Sequence, residues 1–123
     1  MRLHHVQVSC PPDGEDEARR FYRDALGIPE VDKPPVLAAR GGCWFSGDGV
    51  EIHVGVEPGF VPARKAHPAF LVDDLDATAQ RVAGLGFPVT YDSDLPGYRR
   101  FYTADGHGNR AEVLAVGWLP TVA

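Results

Sequence analysis

The sequence predicts an α+β fold of two βαβββ modules, whose strands form a curved mixed sheet, a cup, with the helices on its outer face. Three observations predict it. Two amphipathic helix signals each follow a short β-like segment, and three further β-like segments follow each helix. The halves also repeat their chemistry: His5 to Glu51 is 46 positions and His67 to Glu112 is 45, a repeat of about half the chain. Neither half buries both its helix and its sheet well alone. Side by side they form a larger sheet with helices outside and a concave inner face.

The elements follow in order. LHHVQVS, Leu3 to Ser9, alternates as a strand. In DGEDEARRFYRDALG the residues Ala18, Phe21, Tyr22, Ala25 and Leu26 make one helical stripe. Asp13 is placed to cap this helix, Glu15, Asp16 and Glu17 suit its positive end, and Gly27 stops it. Strands are expected at Val36–Ala39, Cys43–Ser46 and Val50–Val56, completing module one at about residues 1–56. EPGFVPARK, residues 57–65, reads as a linker. Module two, about 66–116, has a strand at Ala66–Val72 and a helix over Asp73–Gly86 with Leu75, Ala79, Val82 and Ala83 as its stripe. Asp73 or Asp74 caps that helix, and strands follow at Val89–Tyr91, Arg100–Thr103 and Arg110–Val116. The tail, 117–123, is either a dimer contact or loose.

Composition narrows the function. The 123 residues suffice for one domain, 1–123, with a real core. The net charge of -5 argues against nucleic acid as a partner. No apolar run approaches the roughly 20 residues that span a bilayer, and the N-terminus lacks a signal-peptide core, so no membrane partner and a cytoplasmic location are expected. Cys10 and Cys43 are expected as free packing thiols.

Alternation assigns faces. In LHHVQV, His4, Val6 and Val8 share one face and Leu3, His5 and Gln7 the other. The first is apolar enough to receive a helix, so His4 belongs there or at the frayed start of the strand. Val50–Val56 sets Ile52 and Val54 against Glu51 and His53, Ala66–Val72 sets Phe70 against His67, and Arg110–Val116 sets Val113 against Glu112. His5, Glu51, His67 and Glu112 therefore all lie away from the helices, and a curved sheet can gather them. Two imidazoles and two carboxylates without thiolates suit a divalent metal: zinc, iron(II), manganese, nickel or cobalt. His53 shares the face of Glu51 and either replaces it as a ligand or supports it. Of Tyr98, Arg100 and Tyr102 against Arg99, Phe101 and Thr103, one set faces the cavity. An inward Tyr98, Arg100, Tyr102 would bind an aromatic or anionic substrate, and an outward one would be a solvated edge. Of Trp44 and Phe45, one packs under a helix and the other lines the cup. His107 reads as an exposed turn residue.

Those residues also carry a resemblance. LHHVQV, EARRFYRDALGIPEV, DGVEIHV, AHPAFLVDDLDA and GNRAEVL resemble the vicinal oxygen chelate superfamily, which includes glyoxalase I, extradiol dioxygenases, fosfomycin-resistance thiol transferases and bleomycin-resistance proteins. The resemblance implies metal ligands on the first and last strands of each module, which carries over to His5, Glu51, His67 and Glu112. It implies a metal that chelates adjacent oxygens of a small-molecule substrate, in a glyoxalase I-like lyase or isomerase or a dioxygenase. In the glyoxalase-like case a glutamate, here Glu51 or Glu112, abstracts a proton beside a carbonyl. A homodimer is also implied, with sites built within one chain or across two. The alternative it leaves is a metal-free, ligand-sequestering protein of the bleomycin-resistance type. The chain departs from the family's DPxGN hairpin with DGHGN, Asp105 to Asn109.

Overall fold

The computed structural model describes residues 1–117 and shows the expected α+β architecture. Two four-stranded mixed sheets lie side by side. The first runs β1 (Val6–Cys10), β4 (Val50–Val56), β3 (Cys43–Gly47), β2 (Glu30–Val31). The second repeats this order with β5 (Ala69–Leu71), β8 (Arg110–Val116), β7 (Tyr98–Ala104), β6 (Thr90–Asp92). In each, the first strand is parallel to the last and the others are antiparallel.

Two expectations about the first module are corrected. Val36–Ala39 is not a strand: Pro35–Ala38 forms a one-turn helix, α2, and the second strand is Glu30–Val31. The paired prolines explain it, since Pro35 pre-sets the dihedral angle of a first helical position. Asp13 does not cap the first helix. It has a positive φ of 64°, and Gly14 takes the cap position without a side-chain bond. Helix α1 (Glu15–Ala18) runs on as a π-helical segment, Arg19–Ala25, and ends at Gly27 with φ 78°. It buries Ala18, Phe21, Tyr22 and Ala25 as the stripe required.

Helix α3 (Leu75–Gly84) is capped by Asp74, whose carboxylate accepts from the Ala77 N–H at 3.0 Å. Leu75, Ala79 and Val82 are buried, but Thr78 takes the place expected of Ala83, which is exposed. The Thr78 hydroxyl donates to the Asp74 carbonyl, so its polar end is satisfied one turn back.

One apolar core, with Phe21, Phe45, Ile52, Phe70, Val82 and Phe101 among its members, joins both modules. Phe21 of the first helix packs edge to face at 5.1 Å on Phe87, just beyond the end of α3. Arg81 donates to the Ala25 carbonyl at 2.7 Å and Arg20 to the Leu85 carbonyl at 3.0 Å. Each helix thus supplies a cation to the unpaired carbonyls at the other's C-terminal end. The DGHGN hairpin adds a second clamp. Asn109 donates to the Ser9 carbonyl, and the His107 ring bonds the Gly14 carbonyl at 2.8 Å, so His107 is a tie between modules and only half exposed. Cys10 and Cys43 are buried free thiols. Among the described residues, no helix is long and apolar enough to cross a membrane.

Candidate metal centre

The expected faces are present. Ile52 and Val54 enter the core beneath the first helix, and Glu51 and His53 stand on the opposite face of β4. Pairing of β3 with β4 puts Trp44 beside His53 and Ser46 beside Glu51. Phe45 is wholly buried, so Trp44 is the one that lines the inner face. In the second module Phe101 and Val113 are buried, and Tyr98, Arg100 and Tyr102 share the face of Glu112.

Two imidazole–carboxylate clusters result. In the first, the parallel pairing of Val6 with Ile52, continued back one residue, sets His5 beside Glu51. The Nδ1 atoms of His4 and His5 are 2.9 Å apart, and His4 Nδ1 is 3.7 Å from Glu51 Oε2. His4 therefore lies at the frayed start rather than on the helix side, because strand pairing begins only at Val6. The ligand atoms of His4, His5 and Glu51 all lie within 4.8 Å of one another. Glu51 Oε2 also meets His53 Nε2 at 2.9 Å, and Ser46 donates to Oε1 at 3.4 Å. The bond from His53, with His4 and Ser46 assisting, holds the Glu51 carboxyl below its ordinary range. His53 is sandwiched between Trp44, at 3.8 Å, and His5, at 4.0 Å. Burial there lowers its pKa, against the pull of Glu51.

In the second cluster, His67 Nδ1 lies 2.6 Å from the Lys65 carbonyl. A carbonyl only accepts, so Nδ1 carries the proton, and a neutral ring then presents a bare lone pair at Nε2. That lone pair points at Glu112 Oε1, 3.2 Å away. Two acceptors facing each other require a cation between them: a second proton or a metal. This is the ring arrangement of a metal-ligating histidine, and the donor set fits a borderline divalent ion. The other carboxylate oxygen, Oε2, accepts from Arg100 at 3.2 Å, and Arg100 is itself bonded to Asp92 at 2.9 Å. The guanidinium groups of Arg100 and Arg110 lie against the Tyr102 ring.

The four residues are not gathered into one group within the chain. His5 and Glu51 meet, and His67 and Glu112 meet, but among the described residues no ion pair or ring contact links the two pairs. Of the expected substrate residues, His53 is buried beside Glu51, Tyr98 is exposed, Tyr102 is half-buried, and Arg100 is engaged by Asp92 and Glu112. The Arg100–Glu112 bond escaped the sequence because alternation assigns faces but not partners. The register of β7 on β8, with Tyr102 opposite Glu112 and Arg100 one step on, was the missing information.

Comparison with known proteins gives consistent relatives. The profile of the glyoxalase-like domain matches residues 7–114. No curated protein matches the chain. A putative glyoxalase family protein from Bacillus anthracis is 43% identical over 95% of this chain and 100% of that one, with a TM-score of 0.87. A lactoylglutathione lyase from Agrobacterium tumefaciens is 24% identical, covers 94% of this chain and 95% of its own, and has a TM-score of 0.65. A mutant of the fosfomycin resistance protein FosX from Listeria monocytogenes, solved with Mn(II) and 1S,2S-dihydroxypropylphosphonic acid, shares the fold at 18% identity and a TM-score of 0.76, over 94% of this chain and 92% of that one.

Proposed function

The chain belongs to the glyoxalase-like domain family of the vicinal oxygen chelate superfamily, and on that premise we propose that it is a metal-dependent enzyme acting on a small molecule with two adjacent oxygens. One observation carries the reading: the Lys65 carbonyl fixes the His67 tautomer so that the Nε2 lone pair and a Glu112 oxygen face the same point. The equivalent positions of the first module hold His5 and Glu51 in the same combination. His5, Glu51, His67 and Glu112 would hold the ion, and manganese in the FosX relative supports a divalent one. When bound, such an ion supplies Lewis acidity toward the chelated oxygens.

The protein's own residues supply the rest. Arg100 anchors one oxygen of Glu112 and leaves the other free to ligate. Glu51, kept ionised by its bond from His53, is the candidate base for a proton beside a carbonyl. Since the two pairs do not meet in one chain, a second copy completes the centre, with His5 and Glu51 from one protomer and His67 and Glu112 from its partner. Leu71, Tyr98 and Val116 support this dimer: they are exposed apolar residues on the same face as Glu112. Purification under mild conditions followed by metal analysis tests the reading. Uptake of none of Zn, Ni, Fe, Mn or Co would refute it.

One observation favours a second reading, a metal-free protein that sequesters a ligand. Both Glu112 oxygens already have partners, and a protonated His67 would satisfy the pair as an ion pair without metal. A wild-type protein that takes up none of these metals yet binds a small-molecule ligand tightly, and keeps that binding in His67→Gln, would favour it.

A further inference from the structure

We propose that the inner face of the first module carries a subsite for a small oxyanion, formed by Lys33, Arg40 and the amide of Gln7 beside Trp44. These residues, with Leu37 and Gly55, line a cavity of about 210 Å³. No carboxylate lines it. Arg19, Arg20 and Arg23 of the same module are each bonded to an acidic side chain, whereas Arg40 and Lys33 have no acidic partner among the described residues. Lys33 donates to the Gly41 carbonyl, which fixes its ammonium at the rim. The neighbouring acid, Glu15, accepts from the Gly42 N–H and does not line the cavity.

Two cations brought to one cavity repel each other, and an anion between them relieves that cost. Gly55 keeps the floor open. A Cβ there would lie 2.7 Å from Gln7 Nε2, so any side chain would push the amide donor aside. The subsite also connects to the candidate centre. Glu51, His53 and Gly55 stand in succession on one face of β4, which places Gly55 roughly 13 Å from Glu51. Trp44 belongs both to the cavity and to the Trp44–His53–His5 stack. A substrate using both would be an extended molecule with its adjacent oxygens at His5 and Glu51 and an anionic tail between Lys33 and Arg40. That role as a substrate tail rests on the metal-enzyme reading; binding of the anion does not.

The experiment keeps the two apart. In Trp118→Phe protein, Trp44 is the remaining tryptophan of the two in the chain and reports on the cavity by fluorescence. Inorganic phosphate and acetate are titrated at constant ionic strength in chloride, with trimethyl phosphate as a neutral control. The expected result is a saturable response to an oxyanion, weakened at least about tenfold in Lys33→Gln/Arg40→Gln and retained in Lys33→Arg/Arg40→Lys. Preference for phosphate or for acetate tells a phosphoryl tail from a carboxylate one. His67→Ala, in the other module and outside both this cavity and the Trp44 stack, should abolish metal uptake and leave the anion affinity unchanged, so a failed metal reading shows as absent metal with the anion still bound. No saturable response to either oxyanion, an equal response to trimethyl phosphate, or an unchanged affinity in the folded Gln/Gln variant would overturn the proposal.

Discussion

The imidazole of His53 lies flat on the indole of Trp44, with ring centroids 3.8 Å apart and planes 4° from parallel. His5 covers the other face of His53 at 4.0 Å and 19°. A strand pairing, Trp44 opposite His53, therefore fixes the ring next to a candidate metal ligand. Trp44→Ala removes one wall of that stack and should cost about 1–2 kcal/mol of stability. Trp44→Phe should recover most of it. Urea unfolding of both variants measures this, and an alanine variant as stable as wild type would show that the stack carries no weight.

The stack gives a pH dependence of definite sign. In the metal-free protein, burial holds the His53 pKa below its ordinary 6.5. Between that lowered value and 6.5 the unfolded chain binds more protons than the folded one, so stability falls as the pH drops through this window. The stability tied to a neutral His53 is fully present above about 6.5 and is lost on acidification. Urea midpoints at pH 7.5 and 5.5 should differ less in His53→Gln than in wild type. An equal difference in both would remove His53 as the source.

The thiols make a second chemical prediction. Burial pushes the Cys43 thiol up to about 12, and burial, with Glu15 and Asp105 adding to it, raises Cys10. Neither forms thiolate near pH 8, so a disulfide reagent should leave both unmodified in the folded protein and titrate both in urea. Rapid labelling of the native chain would contradict their place in the core.

Much of this was legible in the sequence. Period-two alternation placed Glu51, His53 and Glu112 opposite the core residues Ile52, Val54 and Val113, and helical spacing found Phe21, Tyr22 and Val82. What alternation lacks is register and strand ends. It put His4 on the helix side or at a frayed start, and pairing that begins at Val6 leaves His4 free to approach Glu51. It read Val36–Ala39 as a strand because a short apolar run does not distinguish a strand from one helical turn. The dispersal of the four His and Glu residues into two pairs depends on how the modules sit together, which no local pattern encodes.

Arg100 is bonded to both Asp92 and Glu112, and in the proposed metal centre it would anchor the Glu112 carboxylate. Arg100→Gln should weaken metal binding about tenfold, in the range for partners that orient a ligand. Isothermal titration with Mn(II) or Zn(II) checks this. Tighter binding in the variant would mean that Arg100 competes with the metal for Glu112.

The most direct test of the central claim is the metal content of single histidine variants, read by Co(II) absorption and elemental analysis. Wild type should take up metal, His5→Ala and His67→Ala should not, and His4→Ala should retain it. An equimolar mixture of His5→Ala and His67→Ala chains, unfolded and refolded together, should regain part of the uptake if two copies complete each centre. Metal-free wild-type protein that accepts no divalent ion, or uptake lost in His4→Ala but kept in His5→Ala and His67→Ala, would contradict the account.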